Sequence, residues 1–561
     1  MPTFTLDGKQ IEFKPGQTII QAAKDAGITI PHFCWHPAMS VAGNCRICLV
    51  EVEKLPKLVI ACATPAAENM VVHSMSEAAV HARNAVMEFL LINHPLDCPI
   101  CDEAGECKLQ DYAYKYSIGE SRFEEEKNHK KKHIQLGPNV TFDQERCISC
   151  SRCIRYCEEI AGNPQLTFVQ RGEKVTIETF PGKQLDNPYS MNVIEICPVG
   201  ALTSTDFRFK TRVWEMSHTD SICHGCARGC NMNIWVRDNK IYRLTPRENM
   251  DVNTYWMCDY GRLETFKHIN DESTRLNSPL MRPPEGGILN DEEYNLVKCD
   301  WDDAIARVIS ELKNYEADEI AFIASPFSTL EDNYVLKRFA KEITEENNIV
   351  YIPRIEGEDD GLLIKADKTP NSAGLDLIGI RKIDKDFIGK ILNKKFKLIY
   401  IINDTLTRLE DAEEMMKRIE MGIMHVSNLV PSSNKATVVF PSSTYAEVNG
   451  TIVNFRGRVQ RLKPAVATLE VERLIGEFSV SRWDRFGAQN DKWTRGAKFD
   501  ARPVWKVITQ MANAMGFEFN YDNTEDVFND IAARIPEFSG MSYESIGSQG
   551  LSVIQGEKVS A

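Results

Sequence analysis

Seventeen cysteines occur in this 561-residue chain, and sixteen of them precede residue 259. They fall into four runs: Cys34, Cys45, Cys48 and Cys62; Cys98, Cys101 and Cys107; Cys147, Cys150, Cys153, Cys157 and Cys197; and Cys223, Cys226, Cys230 and Cys258. Thiolates a few residues apart on one short loop are the usual ligands of zinc or of iron–sulfur clusters. The second run is one ligand short of a tetrahedral set, and His94 lies just ahead of it in HPLDCPICDEAGEC. That imidazole either completes the set or merely ends a helix. The stretch HARNAVMEFLLINH has Val86, Phe89 and Leu90 at helical spacing, and Pro95 stops it, so His94 falls where the chain turns away.

The elements around each run narrow the chemistry. FTLDGKQIEF reads as a hairpin turning at Asp7-Gly8, and TIIQAAKDAG as a short helix closed by Gly27. Strand, strand, helix and then a cysteine loop resembles a plant-type 2Fe–2S ferredoxin, although ten residues separate Cys34 from Cys45 where such ferredoxins have four. Gly43 gives that loop freedom to wrap. RCISCSRCIRYCEE followed by EICPVGAL resembles half of a bacterial ferredoxin, in which each run sends its last cysteine to the other cluster. Counting back from Cys197, the positions of the second run hold Asn187, Ser190 and Val193, so one site survives: Cys147, Cys150, Cys153 and Cys197. Cys157 is then a leftover, expected to be a buried thiol. SICHGCARGC with WMCDYGR resembles the cluster-binding front of the molybdopterin oxidoreductases, giving Cys223, Cys226, Cys230 and Cys258. With every other cysteine placed, His94 is the remaining candidate to join Cys98, Cys101 and Cys107. Neutral imidazole replaces thiolate on iron in Rieske centres.

Composition sets the context. The net charge of −14 argues against nucleic acid as a partner. The basic cluster KNHKKKH at 127–133, after the acidic EEE at 124–126, reads as a solvated linker. No signal peptide and no run of about 20 apolar residues is apparent. A reducing compartment is expected, where thiols are not paired as disulfides.

From residue 271 the pattern turns to alternating β and α. WDDAIARVISELK places Ile305, Val308, Ile309 and Leu312 on one helical face, and STLEDNYVLKRFAKEI begins with a capping box of Thr329 and Asp332. EIAFIAS, NIVYI, KLIYII and ATVVF read as strands of a parallel sheet. No Gly-rich dinucleotide turn or P-loop is present, so this half is expected to be scaffold.

The order of the four sites resembles the large iron–sulfur subunit of bacterial NADH:quinone oxidoreductase, respiratory complex I. GNCRICLVEV, HPLDCPICDEAGECKLQD, ERCISCSRCIRYCEEIAG, EICPVGALTS and SICHGCARGCNMNIWV carry that resemblance, with VVFPSSTYAEVNGTIVNFRGRVQ near the end. It implies α+β ferredoxin-like cluster domains followed by an α/β molybdopterin-oxidoreductase-like domain that lacks the cofactor and looks shortened. The implied segments are 1–75 (2Fe–2S), 76–125 (4Fe–4S with one His ligand), 140–210 (4Fe–4S half-ferredoxin), 215–270 (4Fe–4S) and 271–561 (scaffold). The cofactors implied are one 2Fe–2S and three 4Fe–4S clusters, without molybdenum. The partners are a flavin- and NADH-binding subunit, other peripheral-arm subunits and, indirectly, a membrane arm. The implied location is peripheral, on the cytoplasmic side of the inner membrane.

Other readings fit less well. A molybdenum formate dehydrogenase would need a cysteine or selenocysteine ligand in the back half, where only Cys299 occurs, and carries lysine where Tyr260 stands. A hydrogenase diaphorase subunit should stop near residue 240, and an iron–iron hydrogenase needs a further cysteine-rich block. Clusters in series are hard to explain as a structural or redox-sensing protein.

Overall fold

The computed structural model describes the chain except residues 118, 284–295, 345–347, 432, 434–435, 474–495 and 554–561. The chain separates into two compact units, Met1–Trp214 and Glu215–Ala561.

The first unit begins with the hairpin Thr3–Leu6 and Lys9–Glu12, paired antiparallel. Asp7 and Gly8 both take positive φ, 48° and 81°, as a two-residue turn of this twist requires. Thr3–Leu6 also pairs in parallel with Val71–His73, which adds Leu49–Val52 and Val59–Ile60 to make five strands. The helix Ile19–Asp25 covers this sheet with Ile19, Ile20, Ala22 and Ala23, against Phe4, Leu6, Val50 and Val72. Gly27, at φ 73°, lets the chain leave the helix.

The helix expected over 81–94 runs from Glu77 to Leu91. Its buried face is Ala79, Arg83 and Met87, whereas Phe89 is 77 % exposed. Arg83 is fully buried because its guanidinium donates to the carbonyls of Ile47 and Leu49, at 3.3 and 3.2 Å. Its stem therefore fills a core position that an apolar pattern does not reveal. The strands Val140–Phe142 and Leu202–Ser204 then pair antiparallel and frame the Cys147 region.

The second unit opens with an antiparallel sheet of Ser217–Ile222, Asn231–Arg237 and Lys240–Pro246. An eight-stranded sheet follows, whose strands Ile320–Ala324, Ile349–Tyr351, Leu398–Ile402, Met421–Val426 and Val438–Pro441 are mutually parallel neighbours. Phe322 and Tyr400 belong to one core and Ile323 and Ile399 to another, so alternate residues of each strand enter different cores. Burial on both faces explains the unbroken apolar runs. The capping box forms as expected: Asp332 N donates to Thr329 Oγ1 at 3.0 Å and Thr329 N to the Asp332 carboxylate at 3.4 Å. Among the described residues, no helix is long and apolar enough to cross a membrane.

Candidate metal centres

Cys34, Cys45 and Cys48 sit in the loop after the helix Ile19–Asp25, and Cys62 follows the strand Val59–Ile60. Cys34, Cys48 and Cys62 are buried, and Cys45 is half-buried. The sulfurs occur as two hydrogen-bonded pairs, Cys34 with Cys45 and Cys48 with Cys62, each pair holding one thiol low and the other high. Two pairs of thiols suit two irons, one pair on each. Arg46, between the pairs, has φ 61°, uncommon for a residue with a side chain and a mark of a tightly wrapped loop.

Cys147, Cys150, Cys153 and Cys197 line one small cavity, walled by Phe142, Ile148, Ile177 and Leu202. Ser149 and Ser151 take φ 52° and 63°, bending the loop so that Ser149 N donates to Cys147 Sγ at 3.4 Å. Cys197 arrives on the end of the short helix Asn192–Ile196. Cys157 is fully buried on a π-helical turn, Tyr156–Ile160, and does not line this cavity. Burial pushes its thiol up to about 12.

His94, Cys98, Cys101 and Cys107 line a second small cavity, with Asp97, Gln110, Arg146 and Gly200. His94 lies just past the helix, its N–H bonded to Leu91 O at 3.3 Å. Burial, aided by the charges of Arg146 and Lys127, lowers its pKa to about 4, so the ring is neutral and has a lone pair to give. Gly200 is required: a Cβ there would come within 2.2 Å of Cys101 Sγ and 2.9 Å of Glu103 Cβ.

The basic cluster at 127–133 is irregular, with Asn128, His129, Lys131 and His133 exposed as in a solvated linker, but Lys127 and Lys132 have fixed partners. Lys127 Nζ caps the carbonyls of Leu91 and Ile92 at 2.9 and 2.7 Å, fixing the helix end that presents His94. Lys132 pairs with Asp97 and Glu145 at 2.6 Å and Asp143 at 3.3 Å. Arg146, 3 % exposed, pairs with Asp97 at 3.0 Å and Asp143 at 3.4 Å. Burial works against the charge on Asp97, yet hydrogen bonds from Lys132 and Arg146 hold its carboxyl below the usual range. Composition could not reveal this, since the acidic partners lie up to 35 residues away.

In the second unit, Cys223, Cys226, Cys230 and Cys258 are all buried. Gly225 N donates to Cys223 Sγ at 3.4 Å and Gly261 N to Cys258 Sγ at 3.3 Å. A Cβ on Gly261 would meet both those sulfurs, at 3.0 and 3.3 Å, so this segment is moulded around them.

Among the described residues, no group of three His, Cys, Asp or Glu side chains converges closely enough to hold a single ion. In the Cys147 and His94 sites the four candidate ligands line one small cavity each.

Comparison with known families agrees with this layout. Residues 1–77 match the 2Fe-2S iron-sulfur cluster binding domain, 83–122 the NADH-ubiquinone oxidoreductase-G iron-sulfur binding region, and 137–203 the ferredoxin-like domain of NADH-quinone oxidoreductase subunit 3. The G subunit of the NADH-quinone oxidoreductase of Rickettsia conorii is 40 % identical over 347 residues, 62 % of this chain and 50 % of that protein. The chain is similar to that subunit.

Other relatives include the mitochondrial NADH dehydrogenase (ubiquinone) iron-sulfur protein 1 of Solanum tuberosum, 41 % identical over 61 % of this chain and 45 % of its own. The 75 kDa subunit of NADH-ubiquinone oxidoreductase from Reclinomonas americana is 43 % identical over 55 % and 43 %. The chain thus spans about half the length of the curated relatives it matches. A crystal structure of an NAD+-reducing nickel–iron hydrogenase covers 38 % of this chain and 91 % of its own, at 34 % identity and TM-score 0.35.

Residues 216–267 match the molybdopterin oxidoreductase Fe4S4 domain, and 275–356 with 376–471 the molybdopterin oxidoreductase model. Beside the Cys223 run lies a cavity of about 400 Å³, lined by His224, Tyr260, Arg354, Lys368, Thr444 and Tyr445 among others. Cys299 does not line it; its N–H bonds to Pro279 O at 3.0 Å and its side chain packs on the sheet core. The described residues around this cavity offer no thiol to a molybdenum ion, so the donor set does not fit a thiolate-held metal.

Proposed function

We propose that the chain is an electron-relay subunit of an NADH:quinone oxidoreductase, carrying electrons from a flavin- and NADH-binding subunit through iron–sulfur clusters toward quinone. The proposed groups are a 2Fe–2S cluster on Cys34, Cys45, Cys48 and Cys62, and 4Fe–4S clusters on His94 with Cys98, Cys101 and Cys107, on Cys147, Cys150, Cys153 and Cys197, and on Cys223, Cys226, Cys230 and Cys258. Molybdenum is not among them.

The observation that supports this reading is the way the first unit links its three sites. Asn44 Nδ2 donates to Ser149 O at 3.2 Å, Ser40 N to Glu159 at 2.8 Å, and Arg155 reaches the carbonyls of Cys34 and Ser40. The first loop is thereby docked on the Cys147 segment. The turn Cys197–Gly200 then borders both cavities: Cys197 and Val199 line one, and Gly200 lines the other. A run of one-electron sites in dry protein, ordered Cys34, Cys147, His94, needs no substrate pocket, only short separations and suitable potentials. The Cys223 site belongs to the second unit and is given a fold-stabilising role. The chain would work peripherally, on the cytoplasmic side of the membrane, alongside other peripheral-arm subunits.

The test is anaerobic mixing of the purified full chain with NADH, with and without the flavin subunit, read by electron paramagnetic resonance. Cluster reduction should require the flavin subunit. Oxidation of NADH by the flavin-free chain alone, or clusters that stay oxidised with both present, would overturn the proposal.

A further inference from the structure

Arg152 is 4 % exposed and directly precedes the ligand candidate Cys153. It lines the Cys147 cavity. One terminal nitrogen donates to Ile196 O at 3.0 Å, the residue before Cys197, and the other to Trp35 O, the residue after Cys34. Its Nε is buried, with no partner among the described residues. No carboxylate among them lies within ion-pair distance of this guanidinium. The groups around it that can carry negative charge are the sulfurs of Cys150, Cys197, Cys34 and Cys45.

A dry cation without a counter-charge is strongly unfavourable. Two carbonyls satisfy hydrogen bonds but do not neutralise the charge. The anion that balances it must come from the thiolate-held groups on either side. Reduction of such a group adds one electron and makes no bond to the arginine, so a fixed neighbouring cation favours the reduced form.

We propose that Arg152 is the shared counter-cation of the Cys34 and Cys147 sites, raising both reduction potentials and tying together the backbone next to a ligand of each. This rests on the ligand sets proposed above. Arg152 is a positioning and electrostatic residue, not a ligand.

The experiment is a mediated redox titration of the full, cluster-loaded chain by electron paramagnetic resonance, for wild type, Arg152→Gln and Arg152→Lys. Glutamine keeps hydrogen-bond donors without charge, and lysine keeps charge without the fork. In Arg152→Gln the reduction equilibrium of the Cys147-site signal should fall about tenfold, 59 mV for one electron. The Cys34-site signal should move the same way by less, the His94-site signal should stay in place, and Arg152→Lys should remain near wild type. Loss of the Cys147 cluster in Arg152→Gln but not Arg152→Lys would also support the charge. Unchanged midpoints in Arg152→Gln, or an equal fall or loss in Arg152→Lys, would overturn the inference. If wild type lacks a cluster signal that Cys197→Ala removes, the ligand reading has failed instead.

Discussion

The Cys147 and His94 cavities are both small, and each is lined by four candidate ligands. Their surroundings are opposite. The first is walled by aliphatic and aromatic side chains and holds one buried arginine with no carboxylate in reach. The second is polar, its Cys98 is exposed, and its arginine, Arg146, is matched by Asp97 and Asp143. The protein thus balances its own charge around the His94 site, and leaves the balance at the Cys147 site to whatever binds there. One cofactor class can be held at different potentials by such differences in charge and burial.

Removing Cys197 breaks the comparison most severely. Cys197→Ala should abolish the Cys147-site cluster and leave the His94-site cluster, although residue 197 lies 44 positions beyond Cys153. Cys157→Ala and Cys299→Ala should retain every cluster signal in electron paramagnetic resonance. Loss of the Cys147-site signal in Cys157→Ala would reverse the ligand assignment.

The complementary cut is His94→Ala, which should lose or degrade only its own cluster. His94→Cys should keep a cluster at a more negative potential, because a thiolate adds a negative charge that imidazole lacks. Four unchanged signals with unchanged midpoints in His94→Ala would reduce His94 to a helix-end residue.

Gly200→Ala crosses between the two sites. The substitution lies on the Cys197 turn, but its Cβ would collide with Cys101 Sγ. The His94-site cluster should therefore be the one depleted, with a stability cost of about 1–3 kcal/mol from overpacking, measured by cluster content and denaturant melts. Equal depletion of both sites would mean that the two walls are not separable.

The smallest effect is expected from Asp97→Asn, which takes one carboxylate partner from each of Arg146 and Lys132 and leaves them Asp143 and Glu145. Taking away a negative charge favours reduction, so the His94-site midpoint should rise. The rise should be less than tenfold in the equilibrium, since Asp97 is 21 % exposed and partly screened. A fall in midpoint would contradict the charge-balance account.

Local signals make the hairpin, the capping box and the parallel strands legible. Asp7-Gly8, Thr329 with Asp332 and the unbroken apolar runs each have a nearest-neighbour cause. The strand Met421–Val426 is not legible in this way, because a glycine and a histidine interrupt its apolar pattern; His425 is buried, its ring bonded to the Tyr400 hydroxyl at 2.6 Å. Ligand spacing points to the residues that ring each cavity. It cannot reveal what surrounds them. Arg83, Arg146, Arg152, Lys127 and Lys132 look like surface residues in a sequence, and each is placed by a carbonyl or carboxylate distant in the chain.

The most direct test of the four ligand sets is elemental and acid-labile sulfide analysis of the anaerobically purified full chain. One 2Fe–2S and three 4Fe–4S clusters predict about fourteen iron and about fourteen sulfide per chain, with no molybdenum. Stoichiometric molybdenum, or zinc in place of iron without labile sulfide, would contradict the account.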